Sequence, residues 1–240
     1  MESPKKVWLD IPFDEKDLAK AAGARWDTGE RRWYAPAPAE ESLFRWAAQP
    51  DVPDLLPGED RTFGAGLFVD LIPSSCWFTN VRSCVDKRDW ERLRRMVVDR
   101  AGGKCEACGR VPDRSQRQWT EAHERWEYDG ERSVQSLRRL ICLCTACHRT
   151  THFGLAQIQG KEDEALANLM SVNDWTRPAA ELHVRRAFET WSSRCDIDWE
   201  LDLSILTDAG LRIGTPTSRA GRRVQAAERL ESVQGQDGPG

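Results

Sequence analysis

Nine consecutive residues, Cys144-Thr-Ala-Cys147-His148-Arg-Thr-Thr-His152, hold two thiols and two imidazoles, and an earlier turn, Cys105-Glu-Ala-Cys108, holds two more thiols. A C-x-x-C turn presents two thiolates to one ion. Two such turns complete the tetrahedral four-sulfur shell that zinc favours at ~2.3 Å. Cys105, Cys108, Cys144 and Cys147 are therefore read as ligands of one structural zinc. Thirty-five residues separate the pairs, more than the roughly 15 to 20 of an ordinary zinc ribbon, so a folded unit must lie between them. His148 and His152, four apart, share one face of a helical turn and point to a second site. Cys76, Cys84, Cys142 and Cys195 lack ligand spacing and read as buried, weakly polar fillers.

The intervening unit must position these groups. Residues Trp119 to Tyr128 read as a strand, Asp129-Gly130 as a turn, and Leu137 to Leu143 as the returning strand that delivers the second cysteine pair. His123 then lies on a strand facing the helix that carries His148 and His152. In that arrangement the helix pair holds a divalent ion against a phosphodiester oxygen while the strand histidine takes a proton from the attacking water. His183 falls in a different helix, opened by Pro178, and reads as an ordinary hydrogen-bonded histidine. A further helix spans about Asp86 to Ala101, with Asp86 as its cap, Trp90, Leu93 and Val97 on one face, and Gly102-Gly103 ending it. Arg92, Arg94, Arg95 and Arg100 crowd this helix as candidates to track a nucleic-acid backbone.

C-x-x-C, then E-A-H, then L-C-x-x-C-H-x-x-x-H resembles the HNH endonuclease family over about Cys105 to Gly154, and the preceding WERLRRMVVDRAGGKCEACG is similar to its bacterial members. The resemblance implies a ββα-metal fold clipped by the four-cysteine zinc. It also implies a catalytic divalent metal, magnesium, manganese, nickel or zinc, in the groove between strand and helix. By position His123 matches the general base, His148 a metal ligand, and His152 the additional helix ligand of some members. Two positions depart from the pattern. Ala122 stands where many members carry a metal ligand, a role that Glu121 or Glu124 would have to take; Glu121 is preferred because it shares a strand face with His123. Arg139 replaces an asparagine, and since guanidinium accepts no hydrogen bond it would instead grip a phosphate or offset developing charge; Arg125, a further nucleic-acid-binding candidate, is the alternative phosphate contact. Two readings stay open: a DNA endonuclease, or a catalytically silent zinc module that binds nucleic acid or a protein partner.

The whole chain, 240 residues with net charge -4, does not announce nucleic acid, but residues 82–120 carry eleven Lys/Arg against six Asp/Glu. No apolar run approaches the ~20 residues of a membrane span, and the amino terminus lacks a signal-peptide core, so a cytoplasmic protein is expected. The fold class expected is α+β. Residues 1–48 form a small β-α-β-type domain: an extended start, a helix capped by Asp14 with Leu18, Ala21 and Ala22 on its apolar face and Gly23 as its stop, then a hairpin flanked by Trp26 and Trp33. The stretch IPFDEKDLAKAAGARWDTGERRWYAP is similar to a small bacterial domain of unknown function that recurs in conjugative-plasmid primases and other DNA-processing proteins. A Pro/Asp/Gly-rich linker (49–72), the HNH-like core (73–156), a helical extension (157–213) and a flexible tail (214–240) follow. In the extension Val184, Ala187, Phe188 and Trp191 form a stripe read as core, and as the surface a homodimer would use. DNA is the expected partner, with RNA as the alternative; the company of the two domains points to restriction, phage defence or mobile-element processing.

Overall fold

The N-terminal residues form a three-stranded antiparallel sheet around one short helix: β1 (Val7–Leu9), α1 (Lys16–Ala21), β2 (Arg25–Asp27) and β3 (Arg32–Ala35), in the order β1-β3-β2. This is a computed structural model that describes residues 6–48, 52–77, 80–116 and 118–214; all but the first residue of the expected tail (214–240) lies outside the described residues. Trp26 and Trp33 face each other across β2 and β3 with ring centroids 5.3 Å apart, as the hairpin requires. The helix differs from expectation in two details. A 3-10 turn, Phe13–Glu15, precedes it, which shifts the buried face so that Ala19 is buried while Leu18 is 54% exposed. Asp14 does not cap it; its carboxylate pairs with Lys87 of the next domain. Gly23, at φ +97°, ends the helix in a conformation that favours glycine.

The expected linker is built into the core instead. Val52 and Leu56 join one apolar cluster, and Leu67 and Val69 another. Glu59 holds the segment down: its carboxylate accepts two hydrogen bonds from the Arg100 guanidinium, both 2.7 Å, and others from the backbone N–H of Leu140 and Leu56. A charge this buried survives only because its lone pairs are filled.

The capped helix α3 (Lys87–Arg100) follows a short α2 (Val81–Cys84), and the Asp86 side chain accepts from Asp89 N–H at 2.8 Å. Then come β4 (Thr120–Asp129) and β5 (Val134–Cys144), an antiparallel hairpin that leads straight into α4 (Thr145–Thr151) and α5 (Phe153–Ile158). The helical extension is α6 (Glu162–Asn173) and α7 (Arg177–Cys195), after which β6 (Glu200–Asp202) adds parallel to β5 and α8 (Ser204–Thr207) closes the described chain. The parallel strand β6 had no signal in the sequence, being three residues long. Period-two alternation splits the hairpin between two cores. Ala122, Trp126, Leu140 and Cys142 pack toward α3 and α8, while Ile141 and Leu143 pack toward α4, α5, α6 and α7. Val184, Ala187 and Phe188 pack on the second core, as the stripe predicts. Because His123 is paired with Ile141, it faces the α4 side.

The Arg100–Glu59 pair predicts a specific sensitivity. Glu59→Ala leaves a guanidinium 2% exposed without its partner, which costs about 3–5 kcal/mol. Urea denaturation should show a loss of that size, against a near-neutral result for Glu164→Ala at the exposed Arg149 pair.

Candidate metal centres

The first cysteine pair is set by the end of α3. Gly102 and Gly103, at φ +59° and +69°, reverse the chain so that Cys105 follows at once, and Gly109 N–H donating to the Cys105 carbonyl (2.8 Å) closes the turn. The second pair is set by the junction of β5 and α4, where Cys144 ends the strand and Cys147 lies in the first helical turn. All four sulfurs fall within 4.8 Å of one another, with Cys108 Sγ and Cys144 Sγ 3.8 Å apart. Bonds of ~2.3 Å in a tetrahedron place sulfurs about 3.8 Å apart, so the donor set fits one zinc ion. The Arg110 guanidinium donates to Cys108 Sγ at 3.3 Å, and the Asn168 amide approaches Cys147 Sγ at 3.7 Å. Hydrogen bonding from the thiols of Cys105 and Cys147 pushes Cys144 down, while hydrogen bonding with Cys105 and Cys144 and burial push Cys147 up, so Cys144 is the thiol that most readily carries charge in the metal-free cluster.

Glu106, inside the first turn, ties it to the hairpin by accepting from Cys142 N–H (2.7 Å), Arg139 (2.8 Å) and Arg61 (2.9 Å). This assigns Arg139 differently from the sequence expectation. Its guanidinium is buried against Glu106 and directed toward the Phe63 carbonyl, which leaves it no route to a substrate phosphate. Arg125 is corrected in the same way: it is fully buried, stacked 4.1 Å from the Phe68 ring centre, with Asp70 at 3.9 Å. Gly64 sits at φ +59°, where glycine is favoured, and a Cβ there would also crowd Arg125 Cδ at 3.1 Å.

The second group comprises His123 on β4 and His148 and His152 on and just after α4. One nitrogen from each lies within 4.8 Å of the others, and ring centroids are 4.6 to 5.2 Å apart. Burial depresses all three: His123 well below its usual value, His148 to about 4 and His152 to about 3, with Arg125 adding repulsion at each. Neutral imidazoles are what a metal ion binds. Among the described residues His123 Nε2 is buried with no hydrogen-bond partner, a lone pair that a cation would satisfy. His148 Nδ1 lies 3.1 Å from Glu121 Oε2, so a proton donated there leaves Nε2 as the free donor. The carboxylate of Glu121 is itself raised by burial. The positive field of Arg125 acts against a bound cation, and Glu121 and Asp70 offset it. Glu124, on the opposite face of β4, is spoken for: it accepts from Val81 N–H at 3.0 Å, and burial raises it to about 7. His183 accepts from Val69 N–H at 3.0 Å, the ordinary role expected of it.

The histidines open on a cleft of about 1400 Å³, lined also by Phe13, Trp77, Trp90, Trp119, Phe188 and Trp191. No sequence signal gathers these aromatics, which come from five separate parts of the chain. The basic helix contributes less than its composition promised. Arg100 is committed to Glu59, Arg95 to Asp10 at 2.8 Å and Arg92 to Asp89 at 2.5 Å, while Arg94 lines the cleft beside Glu91. Arg95, Lys87 and Arg88 instead join α3 to the N-terminal domain through Asp10, Asp14 and the Arg45 carbonyl. Among the described residues no helix is long and apolar enough to cross a membrane.

Comparison with known proteins places the likeness in the N-terminal domain. A family described as a domain of unknown function, DUF5710, matches residues 6–47. Two Escherichia coli proteins, each named DNA primase TraC, are similar over 47 residues at 49% and 40% identity, which is 19% of this chain and 4% and 3% of theirs. The chain therefore spans a small fraction of the length of those relatives, and the expected likeness to a primase-associated domain is borne out for that segment. The cysteine and histidine clusters lie outside it. No solved structure matches.

Two measurements check the metal reading. Cys105→Ser should release one zinc per chain and unfold the hairpin region, whereas His148→Ala should keep that zinc, as read by metal analysis and circular dichroism. Glu121→Ala should weaken a divalent ion at the histidines by roughly 10- to 100-fold in a chelator competition, with the cysteine-bound zinc unchanged.

Proposed function

We propose that this chain is a metal-dependent endonuclease of the HNH type, hydrolysing phosphodiester bonds in nucleic acid. The observation that carries the reading is the convergence of three imidazoles, His123 buried and His148 and His152 half-buried, within 4.8 Å of one another in an open cleft, separate from a complete four-thiol cluster. A purely structural zinc at the cysteines has no use for them. His148 and His152 would hold the ion, with Glu121 fixing the orientation of His148. A divalent ion held there supplies Lewis acidity toward a phosphodiester oxygen.

His123 has two available roles. The sequence resemblance gives it the proton of the attacking water. Its 2% exposure and unpartnered Nε2 favour a third-donor role, because an imidazole this buried resists becoming charged. Metal content separates the two: His123→Ala keeps the divalent ion if the residue moves a proton and loses it if the residue binds. DNA is the favoured substrate because the N-terminal domain is similar to part of proteins named DNA primase. A setting in restriction, phage defence or mobile-element processing fits that pairing of domains.

The test is incubation with supercoiled, linear and single-stranded DNA in magnesium, manganese, nickel or zinc. The wild-type chain should cleave at least one substrate, and His123→Ala and His148→Ala should each lower the rate by at least about a hundredfold. Intact substrates throughout, or cleavage that survives both substitutions, would leave a zinc module that binds without cutting.

A further inference from the structure

The histidine cleft, at about 1400 Å³, exceeds the roughly 300–1,000 Å³ of small-molecule pockets. Its walls are aromatic. Trp77 and Trp191 both donate their indole N–H to one carbonyl, that of Ile72, at 2.9 and 3.0 Å. The hydrogen-bonding edge of each ring is thus used inside the protein, and what the cleft receives from them is carbon surface. Trp90 lines the same space, and Trp119 and Phe13 line it while 53% and 72% exposed. Phe13 belongs to the N-terminal domain, so both domains contribute to the wall.

Cations are few by comparison. Arg94 is tied to Glu91 at 2.8 Å, and Arg82 lines the cleft without an ion pair among the described residues. A DNA duplex carries about one charge per 1.7 Å and keeps its bases stacked inside, so it needs a row of free cations and gains little from aromatic walls. A single strand has the opposite requirements, because every exposed base has a π face to stack.

We propose that the cleft takes unpaired, single-stranded nucleic acid, whose bases stack on Trp119 and on the face of Phe13 opposite Lys16, whose ammonium lies 3.8 Å from that ring's centre, and whose phosphate reaches the histidine cluster past Arg82. The proposal rests on the histidines being a phosphodiester-hydrolysing centre, but its binding component is separately measurable. The probes are labelled oligo-dT, oligo-rU and a DNA duplex of equal length, titrated with His148→Ala protein and followed by fluorescence anisotropy. At least one single strand should bind about tenfold or more tightly than the duplex. Its salt dependence should be shallow, corresponding to one or two phosphates rather than the six to ten of duplex-binding proteins. Trp119→Ala should weaken it at least about fivefold and Trp119→Phe should restore most of the loss. Trp119 is exposed, so circular dichroism should show both variants folded. Duplex binding as tight as single-strand binding, or unchanged affinity in Trp119→Ala, overturns the proposal. Single-strand binding without cleavage by the wild-type chain would remove the nuclease reading and leave this one standing; duplex-only cleavage would do the reverse.

Discussion

The gathering of four thiols is the constraint on which the centre of this protein depends. It joins the turn after α3 to the junction of β5 and α4, bringing together two cysteine pairs separated by thirty-five residues. Without an ion, burial and mutual repulsion oppose thiolate charge on four sulfurs this close. With one, the same closeness would tie the two segments together. Glu106 shows how the tie spreads: from inside the first turn it reaches the backbone of β5 and the guanidiniums of Arg139 and Arg61. The position of α4, and with it His148 and His152, follows from that anchoring.

What could be read from the sequence, and what could not, divides by the range of the interaction. Cysteine spacing, the period-two hairpin, the Asp86 cap and the four-residue interval of the helix histidines are local signals, and each appears in the fold near its expected place. The destinations of the arginines were not legible. Arg100, Arg125 and Arg139 look alike in sequence to surface cations, yet each finds a carboxylate contributed by a distant segment: Glu59, Asp70 and Glu106. The Pro- and Gly-rich stretch supplies two of those three carboxylates, which is why it packs down instead of behaving as a linker. Asp14 follows the same rule, its cap role being displaced by an ion pair with Lys87 across domains. Glu121 could be selected by strand alternation alone, since it shares the His123 face and meets His148 there.

The arginine assignments change how the two domains relate. Three cationic residues at the N-terminal half and middle of α3 are used to seat the small sheet domain, and the consequence is that Phe13 reaches the wall of the histidine cleft. A helix whose composition suggested a backbone-tracking surface is therefore a joint, and the aromatic cleft beside it becomes the surface available for recognition. The eleven tryptophans, uninformative as a count, acquire meaning only through where the fold collects them.

The central claim is that one short segment serves two chemically different metal sites. X-ray absorption on protein loaded stepwise with metal tests it most directly, using zinc for the first equivalent and cobalt for the second. The account predicts a four-sulfur shell for the first ion and a nitrogen and oxygen shell, absent in His148→Ala, for the second. A single shell mixing sulfur and nitrogen, or no second ion in the wild-type chain, would contradict it.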